Sequence, residues 1–332
     1  MGVLVAGGAG YIGSVTAWAL ADVGADVWVI DDLSTGHAAS VAGLPLIIGD
    51  VGDAAFLYHF FSTHKIDTVL HFAARSLVAE SMRDPAKYFD ENVGKSAVLI
   101  RQAALAGVSA FILSSTAAVY GTPQRFEPIP ETAPLVPENP YGESKQSIER
   151  MLEWMDRCAG MRFVSLRYFN AAGAGRNNTL IERHLPETHL IPNVLHTALY
   201  PQEPFSLFGE DYPTPDGTCI RDYIHVDDLA SAHVAAWKYL LDGGSSLVAN
   251  LGNQRGFSVR EVLEAAQLIT GRQIPIQIMP RRPGDPPYLV ADPSRAHEIL
   301  DWQPLHTSLE AILTSAWEGI LRAEKQPSVS HK

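Results

Sequence analysis

The sequence predicts an α/β protein built on a doubly wound parallel sheet. Six apolar runs in the first half have the length of buried strands, and segments of helical length separate them. Strands that alternate with helices form a parallel sheet through right-handed crossovers, and the helices cover both of its faces. The predicted strands are residues 3–6, 27–30, 46–48, 69–72, 111–113 and 163–166, and the predicted helices are 12–23, 54–64, 85–106 and 144–159.

The pattern changes after about residue 170, where Pro, Gly and His become more frequent. We predict a first domain over residues 1–170, to which a later segment at about 220–250 returns. A smaller α/β lobe is predicted over residues 171–325, and residues 326–332 are expected to form a frayed tail.

Local signals predict further elements in the second half. Ser258 with Glu261, and Thr307 with Glu310, form capping-box patterns that predict two helix starts. Residues 274–279 are apolar at alternate positions and predict a short strand.

Composition restricts the class of protein. Of the 332 residues, 46% are hydrophobic and 19% are charged, which is typical of a globular protein with a large core. The net charge of −12 argues against nucleic acid or an anionic membrane as the main partner, because both attract basic surfaces.

Several features favour the cytoplasm. The two cysteines, Cys158 and Cys219, provide no disulfide framework, so we expect a reducing compartment. The first residues enter a strand without the basic and cleavage regions of a signal peptide. No uninterrupted apolar stretch reaches the length of a membrane span, about 18 residues. We therefore expect a cytoplasmic protein without a membrane segment.

A glycine-rich turn predicts a dinucleotide site. Gly7, Gly10 and Gly13 follow the first strand and open the first helix, where backbone N–H groups and the helix dipole favour a pyrophosphate. Asp31 ends the second strand, 18 residues after Gly13. Its carboxylate is expected to accept hydrogen bonds from the adenosine ribose and to repel a 2′-phosphate. Because no arginine follows Asp31 closely, we expect NAD rather than NADP.

Residues that end the next strands are interpreted in the same way. Asp50 ends the third strand and is expected near the adenine, with a helix-capping role as the alternative. His71 is expected to be a packed histidine rather than a ligand. The small residues Ala73 and Ala74 then let a cofactor lie against the backbone.

Polar side chains gather after the fifth strand. Ser114, Ser115 and Thr116 bring hydroxyl groups to the same edge of the sheet. Tyr141 and Lys145 follow Thr116 by 25 and 29 residues. Because residues four apart share a helix face, Tyr141 and Lys145 are expected to point in the same direction.

These motifs together resemble the extended short-chain dehydrogenase/reductase family, whose members have a Rossmann domain. Further blocks, such as "LRYFNAAGA", "FGEDYPTPDGTCIRDYIHVDDLA" and "RRPGDPP", resemble the UDP-glucose (UDP-galactose) 4-epimerases over about 320 residues. The resemblance implies reversible NAD-dependent 4-epimerisation of a UDP-hexose, UDP-galactose to UDP-glucose, through a transient 4-keto sugar. NAD is expected to be tightly bound and regenerated in each turnover.

The resemblance also implies catalytic roles. Tyr141, as a phenolate, is expected to remove the proton of the sugar 4-hydroxyl while C4 gives its hydride to NAD, and Thr116 to hydrogen-bond the same oxygen. A free tyrosine, with a pKa near ~10, is a poor base at neutral pH, so Lys145 is expected to favour the phenolate as a neighbouring cation. Lys145 is also expected to hydrogen-bond the nicotinamide ribose.

Two sets of contacts follow from the same resemblance. The implied cofactor-binding residues are Gly7, Gly10, Tyr11, Ile12, Gly13, Asp31, Asp32, Asp50, Val51, Phe72, Ala73, Ala74, Ser76, Ser114, Tyr141, Lys145 and Tyr168. The implied substrate-binding residues are Asn170, His189, Leu190, Ser206, Phe208, Arg221, Arg282, Asp285 and Leu289. Within this set, Arg221 and Arg282 are expected to clamp the diphosphate. Asp285 is expected to bind the uridine ribose, and Phe208 to contact the uracil.

Three positions depart from the family pattern or leave the substrate open. Ser76 stands where family members often carry a lysine that contacts the pyrophosphate, and Glu91 replaces a cofactor-side asparagine. Leu289 occupies a position at which tyrosine excludes N-acetyl groups in the family. A 4-epimerase of UDP-GlcNAc/GalNAc, UDP-pentose or UDP-uronate therefore stays open as the alternative.

Other activities of the fold fit less well. Nucleotide-sugar 4,6-dehydratases need an acidic pair after the threonine, and UDP-glucuronate decarboxylases usually carry a glutamate there. Here Ala117 and Ala118 follow Thr116. An inactive NAD-sensing regulatory protein would not need the intact set of Thr116, Tyr141 and Lys145.

We expect no metal site and a homodimer. Asp227 and Asp228, next to His225, open a helix, where acidic residues occur without a metal. The same expectation holds for His184 and His189. The helices predicted at 85–106 and 144–159 resemble the pair through which family members dimerise as a four-helix bundle.

Overall fold

The computed structural model describes residues 1–184, 186–282 and 285–325, so the predicted tail at 326–332 lies outside it. The strands are β1 (Gly2–Ala6), β2 (Asp26–Asp31), β3 (Leu46–Ile48), β4 (Thr68–His71), β5 (Ala110–Thr116), β6 (Arg162–Tyr168), β7 (Asn170–Ala172), β8 (Phe205–Phe208), β9 (Ile220–His225), β10 (Leu247–Leu251), β11 (Gly256–Ser258), β12 (Ile276–Met279) and β13 (Tyr288–Leu289). Seven of them form one parallel sheet in the order β10-β6-β5-β4-β1-β2-β3. This sheet confirms the predicted fold class.

Helices cover both faces of the large sheet. They are α1 (Tyr11–Asp22), α2 (Ala54–Thr63), α3 (Val78–Arg83), α4 (Pro85–Tyr88), α5 (Lys95–Leu105), α6 (Pro140–Ala159), α7 (Gly175–Asn178), α8 (Leu190–Leu199), α9 (Val226–Leu241), α10 (Val259–Thr270), α11 (Ser294–Leu300) and α12 (Leu309–Lys325). On one face, Leu20 of α1 and Leu229 of α9 are fully buried against the sheet. On the other, Leu57 of α2, Leu99 of α5 and Ile148 of α6 are fully buried. Each such side chain contributes about 1.5–3 kcal/mol through burial, which holds the sheet rigid beneath its loops.

The later part of the chain contributes to two structures. β10 pairs in parallel with β6, and α9 packs on α1, so this segment extends the large sheet. β9 instead joins β7, β11 and β13 in a small sheet, and β8 pairs with β12. How the chain divides into domains stays a prediction.

The predicted local signals of the second half have different outcomes. The capping box of Ser258 and Glu261 is confirmed at the start of α10. The box predicted at Thr307 is wrong, because the Ala311 N–H donates to Ser308 Oγ at 3.0 Å and Ser308 therefore caps α12. The strand predicted at 274–279 is confirmed as the shorter β12.

The helix predicted at 85–106 is confirmed, and it contains a π-helical turn at residues 89–94 between α4 and α5. The turn carries the buried Asn92, whose side chain accepts the Arg75 N–H at 2.7 Å and donates to the Arg75 carbonyl at 3.0 Å and to Ser144 Oγ at 2.9 Å. A π turn inserts an extra residue into a helix and often marks a functional site. Through Asn92, the π turn connects the segment after β4 to α6.

Among the described residues, no helix combines the length and the apolar character needed to cross a membrane.

Candidate active site

A cavity of about 930 Å³ lies at the carboxyl ends of the large sheet's strands. All the predicted catalytic and cofactor-binding residues line it, together with Asn170, His189, Arg221, Arg282, Asp285 and Leu289 of the predicted substrate contacts. A second cavity, of about 1080 Å³, lies between α1, α9 and α11. None of the predicted site residues lines that second cavity, so we place the chemistry in the first.

Three predicted substrate contacts, Leu190, Ser206 and Phe208, do not line the cavity. Leu190 packs against the apolar core of the second lobe. The guanidinium carbon of Arg282 lies 3.8 Å from the centroid of the Phe208 ring, so a cation covers the face that we expected to contact a base. A cation over an aromatic face is stabilising by itself, and sequence spacing did not reveal this pairing.

The glycine turn between β1 and α1 has the shape that a dinucleotide needs. Gly7 has a φ of +78°, and a Cβ at this position would lie 2.3 Å from the backbone nitrogen of Ala73. The first turn of α1 has neither a side-chain cap nor an acidic residue, so its N–H groups stay available to an anion. These residues fit the pyrophosphate of NAD.

Asp31 is held in place at the end of β2. Its Oδ1 accepts the Leu33 N–H at 2.8 Å, and its Oδ2 accepts the Ala9 N–H at 2.9 Å. Burial raises the pKa of Asp31 above its ordinary value, although these hydrogen bonds lower it. Each carboxylate oxygen has a second acceptor position, so the side chain fits the predicted ribose contact.

Asp50 does not cap α2, which corrects the alternative drawn from the sequence. Asp53 caps the helix, accepting the Ala55 and Phe56 N–H groups. Asp50 instead accepts Lys95 Nζ at 2.9 Å and the Gly52 N–H at 2.7 Å. Burial alone would raise the pKa of Asp50, but these two partners outweigh burial and lower it.

Sequence reasoning missed the charged group that surrounds Asp50. Lys95 also pairs with Glu91 at 3.0 Å, and Arg75 lies 3.7 Å from the same Glu91 carboxylate. The spacing of four between Glu91 and Lys95 is a helical ion-pair signal and could have identified the pair. Glu91, which departs from the family pattern, thus belongs to a chain of alternating charges along the cavity wall.

The start of α6 brings Tyr141 close to Thr116. Asn139 caps the helix by accepting the Gly142 N–H at 2.9 Å, and Pro140 occupies its first turn. A Cβ on Gly142 would lie 2.4 Å from the Ala118 carbonyl oxygen. The glycine between Tyr141 and Lys145 is therefore a packing requirement, because it lets α6 approach the turn after β5.

Burial shifts the pKa values of Tyr141 and Lys145 in opposite directions. Removal from bulk water raises the pKa of Tyr141, and Thr116 is the neighbour that lowers it. Burial lowers the pKa of Lys145 to about 8, while Glu149 raises it. Lys145 Nζ donates to the Ser114 carbonyl at 2.8 Å. Burial therefore dominates the pKa of both groups in the chain without a cofactor, and the expected effect of Lys145 on the phenolate stays a prediction.

Two hydrogen-bonded pairs of side chains lie near the same edge of the sheet. His71 Nε2 lies 2.7 Å from Ser96 Oγ, and burial lowers the pKa of His71 to about 3, so the expected packed histidine is confirmed. Ser114 and Tyr168 share a hydroxyl–hydroxyl hydrogen bond. Burial raises the pKa of Tyr168.

On the opposite side of the cavity, the side chain predicted to bind the diphosphate pairs with the side chain predicted to bind the uridine ribose. Arg221 forms an ion pair with Asp285 and donates through Nη1 to the Ile220 carbonyl at 2.9 Å. The pairing of β9 with β13 places Arg221 opposite Leu289. Both groups lie at the cavity, where a nucleotide would compete for them.

A group of histidines and glutamates also lies at this side. His189 Nδ1 lies 2.9 Å from Glu182 Oε1 and 2.8 Å from Glu187 Oε1. Burial alone would lower the pKa of His189, but the two carboxylates outweigh burial and raise it to about 10. Sequence reasoning considered His184 and His189 but missed Glu182, which no spacing rule singled out.

Comparisons with known proteins agree with this geometry. The sequence profile of the NAD dependent epimerase/dehydratase family matches residues 3–252. A UDP-glucose 4-epimerase from Halalkalibacterium halodurans is 48% identical over 317 residues, covering 96% of this chain and 95% of that protein. The structure of UDP-glucose 4-epimerase from Brucella ovis in complex with NAD is 45% identical, with a TM-score of 0.92 over 96% of this chain and 97% of that one. The structure of UDP-glucose 4-epimerase from Bifidobacterium longum in complex with NAD⁺ and UDP is 35% identical, with a TM-score of 0.90 over 98% and 99%.

Replacing Lys145 is expected to stabilise the fold. The folded-state pKa of Lys145 is lowered to about 8 from 10.5, so the unfolded chain binds more protons between these values. The destabilisation is therefore complete below pH 8 and disappears as the pH rises towards 10.5. We expect Lys145→Met to raise the free energy of unfolding by roughly 1–3 kcal/mol at pH 7, and by less at pH 10, in urea denaturation.

The exposed Lys238 of α9 provides the matched control. Lys238→Met should give no gain that depends on pH. Equal stability of Lys145→Met and the unmodified chain at both pH values would contradict the proposed effect of burial.

Proposed function

The chain belongs to the NAD dependent epimerase/dehydratase family, and we propose that it interconverts UDP-galactose and UDP-glucose by inverting C4 of the hexose through a transient 4-keto sugar. The observation that carries the proposal is the shared cavity. Thr116, Tyr141 and Lys145 line the same space as the glycine turn and Asp31. The match to UDP-glucose 4-epimerases over 96% of the chain supports the same reaction.

The cofactor half of the cavity is built to hold NAD firmly. The free N–H groups at the start of α1 bind the pyrophosphate, and the backbone-anchored Asp31 accepts the ribose hydroxyls. Asp50, oriented by Lys95, lies at the adenine end. When bound, NAD supplies a positively charged hydride acceptor that each turnover regenerates.

The catalytic residues move the proton. Tyr141 accepts the proton of the sugar 4-hydroxyl and returns it when the sugar is reduced on its other face. Thr116, the neighbour that lowers the pKa of Tyr141, hydrogen-bonds the same oxygen. Lys145 remains mainly charged below pH 8 and favours the phenolate as a nearby cation, and it hydrogen-bonds the nicotinamide ribose.

The substrate half holds the nucleotide and leaves the hexose free to turn. Arg221 and Arg282 clamp the diphosphate, and Asp285 binds the uridine ribose, which requires the Arg221–Asp285 pair to open or be shared. Asn170 and His189 line the cavity as further sugar contacts. Leu289, opposite Arg221 on the paired strand, bounds the space around the hexose.

Replacing the proposed base tests the reaction. Tyr141→Phe should lower the rate of interconversion of UDP-galactose and UDP-glucose by about 10²- to 10⁴-fold, because it removes proton transfer. NAD should remain bound, since the other cofactor contacts are unchanged, and acid denaturation should release it. The control is Tyr58→Phe, which alters an exposed tyrosine of α2. A near-normal rate for Tyr141→Phe would exclude its role, and bound NAD without turnover of any UDP-sugar would favour a regulatory protein.

The hexose side is tested at Leu289. Leu289→Tyr adds a bulky group to the cavity, so it should lower turnover of UDP-GalNAc at least about ten-fold more than turnover of UDP-galactose. Leu289→Met keeps the volume and should leave that ratio close to the original. Equal effects on both substrates would contradict the proposal that Leu289 sets the room for an N-acetyl group.

We also propose a homodimer formed through α4, α5, the π turn and α6. Large apolar side chains on these elements are exposed in the single chain, namely Phe89, Leu105 and Trp154. Water-exposed apolar groups on neighbouring helices favour association. Trp154→Glu should shift the dimer towards monomer in sedimentation equilibrium, whereas Leu268→Glu, at an exposed leucine of α10, should not. A monomer at all accessible concentrations would contradict this proposal.

We place the protein in the cytoplasm on chemical grounds. Both cysteines are free, Cys158 at the surface and Cys219 buried, which suits a reducing compartment. Cell fractionation checks this placement.

A further inference from the structure

We propose that Glu182, His184, Glu187 and His189 bind one divalent cation such as Zn²⁺ at the edge of the cavity. Each residue offers one ligand atom, and the four atoms all lie within 4.8 Å of one another. The four come from one segment between α7 and α8, in which Leu185 lies outside the described residues. No metal was expected at His184 and His189 from the sequence, where Glu182 was not recognised as a neighbour of the two histidines.

The distances suit a small tetrahedral ion. Nitrogen and oxygen ligands lie about 2.0–2.2 Å from zinc, which places neighbouring ligands about 3.3–3.6 Å apart. His184 Nδ1 lies 3.2 Å from Glu182 Oε1, and His189 Nδ1 lies 2.9 Å from the same oxygen and 2.8 Å from Glu187 Oε1. These three distances are slightly shorter than a coordination shell requires, and all four ligand atoms lie within 4.8 Å of one another, so side-chain adjustment alone would create the shell.

One ligand atom lacks a hydrogen bond. His184 Nδ1 is buried and, within the described part of the chain, has no hydrogen-bond partner, although the Glu182 carboxylate lies close to it. This arrangement is expected if the lone pair of His184 Nδ1 and a lone pair of the Glu182 carboxylate both point towards one metal ion, and not towards a shared hydrogen. An unsatisfied buried nitrogen destabilises the fold, and coordination would remove this penalty.

Charge favours a divalent ion in this position. Two carboxylates with two neutral imidazoles carry a charge of −2, and the side chain of Glu182 is only 7% exposed. A divalent cation makes the group neutral. Imidazole ligands favour zinc and similar transition ions over magnesium or calcium.

The ion would orient a residue of the substrate half. Glu182, His184 and His189 all line the cavity. Coordination through Nδ1 leaves Nε2 of His189 as an N–H donor, because a metal-bound imidazole keeps its proton on the other nitrogen. The ion therefore acts as a positioning group, fixing the segment that carries His189 without taking part in proton transfer.

Metal content tests the proposal directly. The full chain is stripped with a chelator, incubated with zinc, freed of unbound metal and analysed by mass spectrometry. We expect one retained zinc per chain, and an anomalous zinc signal among the four side chains in crystals. His184→Asn and Glu187→Gln should each weaken zinc binding at least about ten-fold. The visible spectrum of the cobalt-substituted protein should change with the same variants.

His196→Asn is the matched control, because His196 is an exposed histidine with a carboxylate oxygen of Glu203 at 3.9 Å. It should leave zinc binding unchanged. The proposal would be overturned if the unmodified chain retained no zinc, or if all three variants retained as much zinc as the unmodified chain. The four side chains would then form only an ion-pair network. Since the unmodified chain is measured first, a variant that fails to fold does not prevent a decision. The readout is bound metal, so it is independent of the proposed reaction.

Discussion

A buried ion pair connects the elements that carry the proposed catalytic side chains. Glu149 of α6 accepts Arg167 Nε at 3.0 Å and Nη2 at 2.6 Å, and the two side chains are 3% and 5% exposed. Ser115 of β5 donates to the same carboxylate at 2.6 Å. Each partner adjoins a residue of the site, since Thr116 follows Ser115, Tyr168 follows Arg167, and Lys145 lies one helical turn before Glu149. Removing one member of such a pair typically costs about 3–5 kcal/mol, so the relative positions of α6, β5 and β6 depend on it.

The same network explains why the site tolerates a buried lysine. Arg167 also donates to the Tyr120 hydroxyl at 3.0 Å, which in turn donates to Asn250 at 2.7 Å, so the arginine's charge is dispersed towards β10. Glu149, although paired with Arg167, still raises the pKa of Lys145 against the effect of burial. Water is excluded, and electrostatic interactions are therefore stronger than at the surface. The fold gives up stability at Lys145 and retains there the cation to which we assign a catalytic role.

Local sequence patterns predicted the frame of the molecule, and contacts between distant segments decided what they missed. Strand and helix alternation follows from apolar periodicity, and Gly7 and Asp31 lie at fixed positions relative to β1 and β2, so both were found. The π turn at residues 89–94 carries Asn92, which reaches Arg75 and Ser144, and no local pattern reveals these contacts. Asp50 lines the cavity, but its partner Lys95 is 45 residues away and was not predicted. Phe208 was expected to face a base because the stacking of Arg282 across 74 residues was not visible in the sequence.

The two halves of the cavity are constructed in different ways, and the proposed reaction needs this difference. The cofactor half is fixed by backbone contacts, such as the close approach of Gly7 to Ala73 and the two N–H groups that hold Asp31. The substrate half contains charged side chains that pair across separate segments, as Arg221 does with Asp285. The arginine of such a pair can exchange the carboxylate of the protein for the diphosphate of a ligand at little net cost. The reason is that the carboxylate and the diphosphate are both anions. The cofactor half is rigid and keeps its cofactor, whereas the substrate half can rearrange around the nucleotide. This combination suits a reaction in which the hexose must turn over while the cofactor and the nucleotide both stay bound.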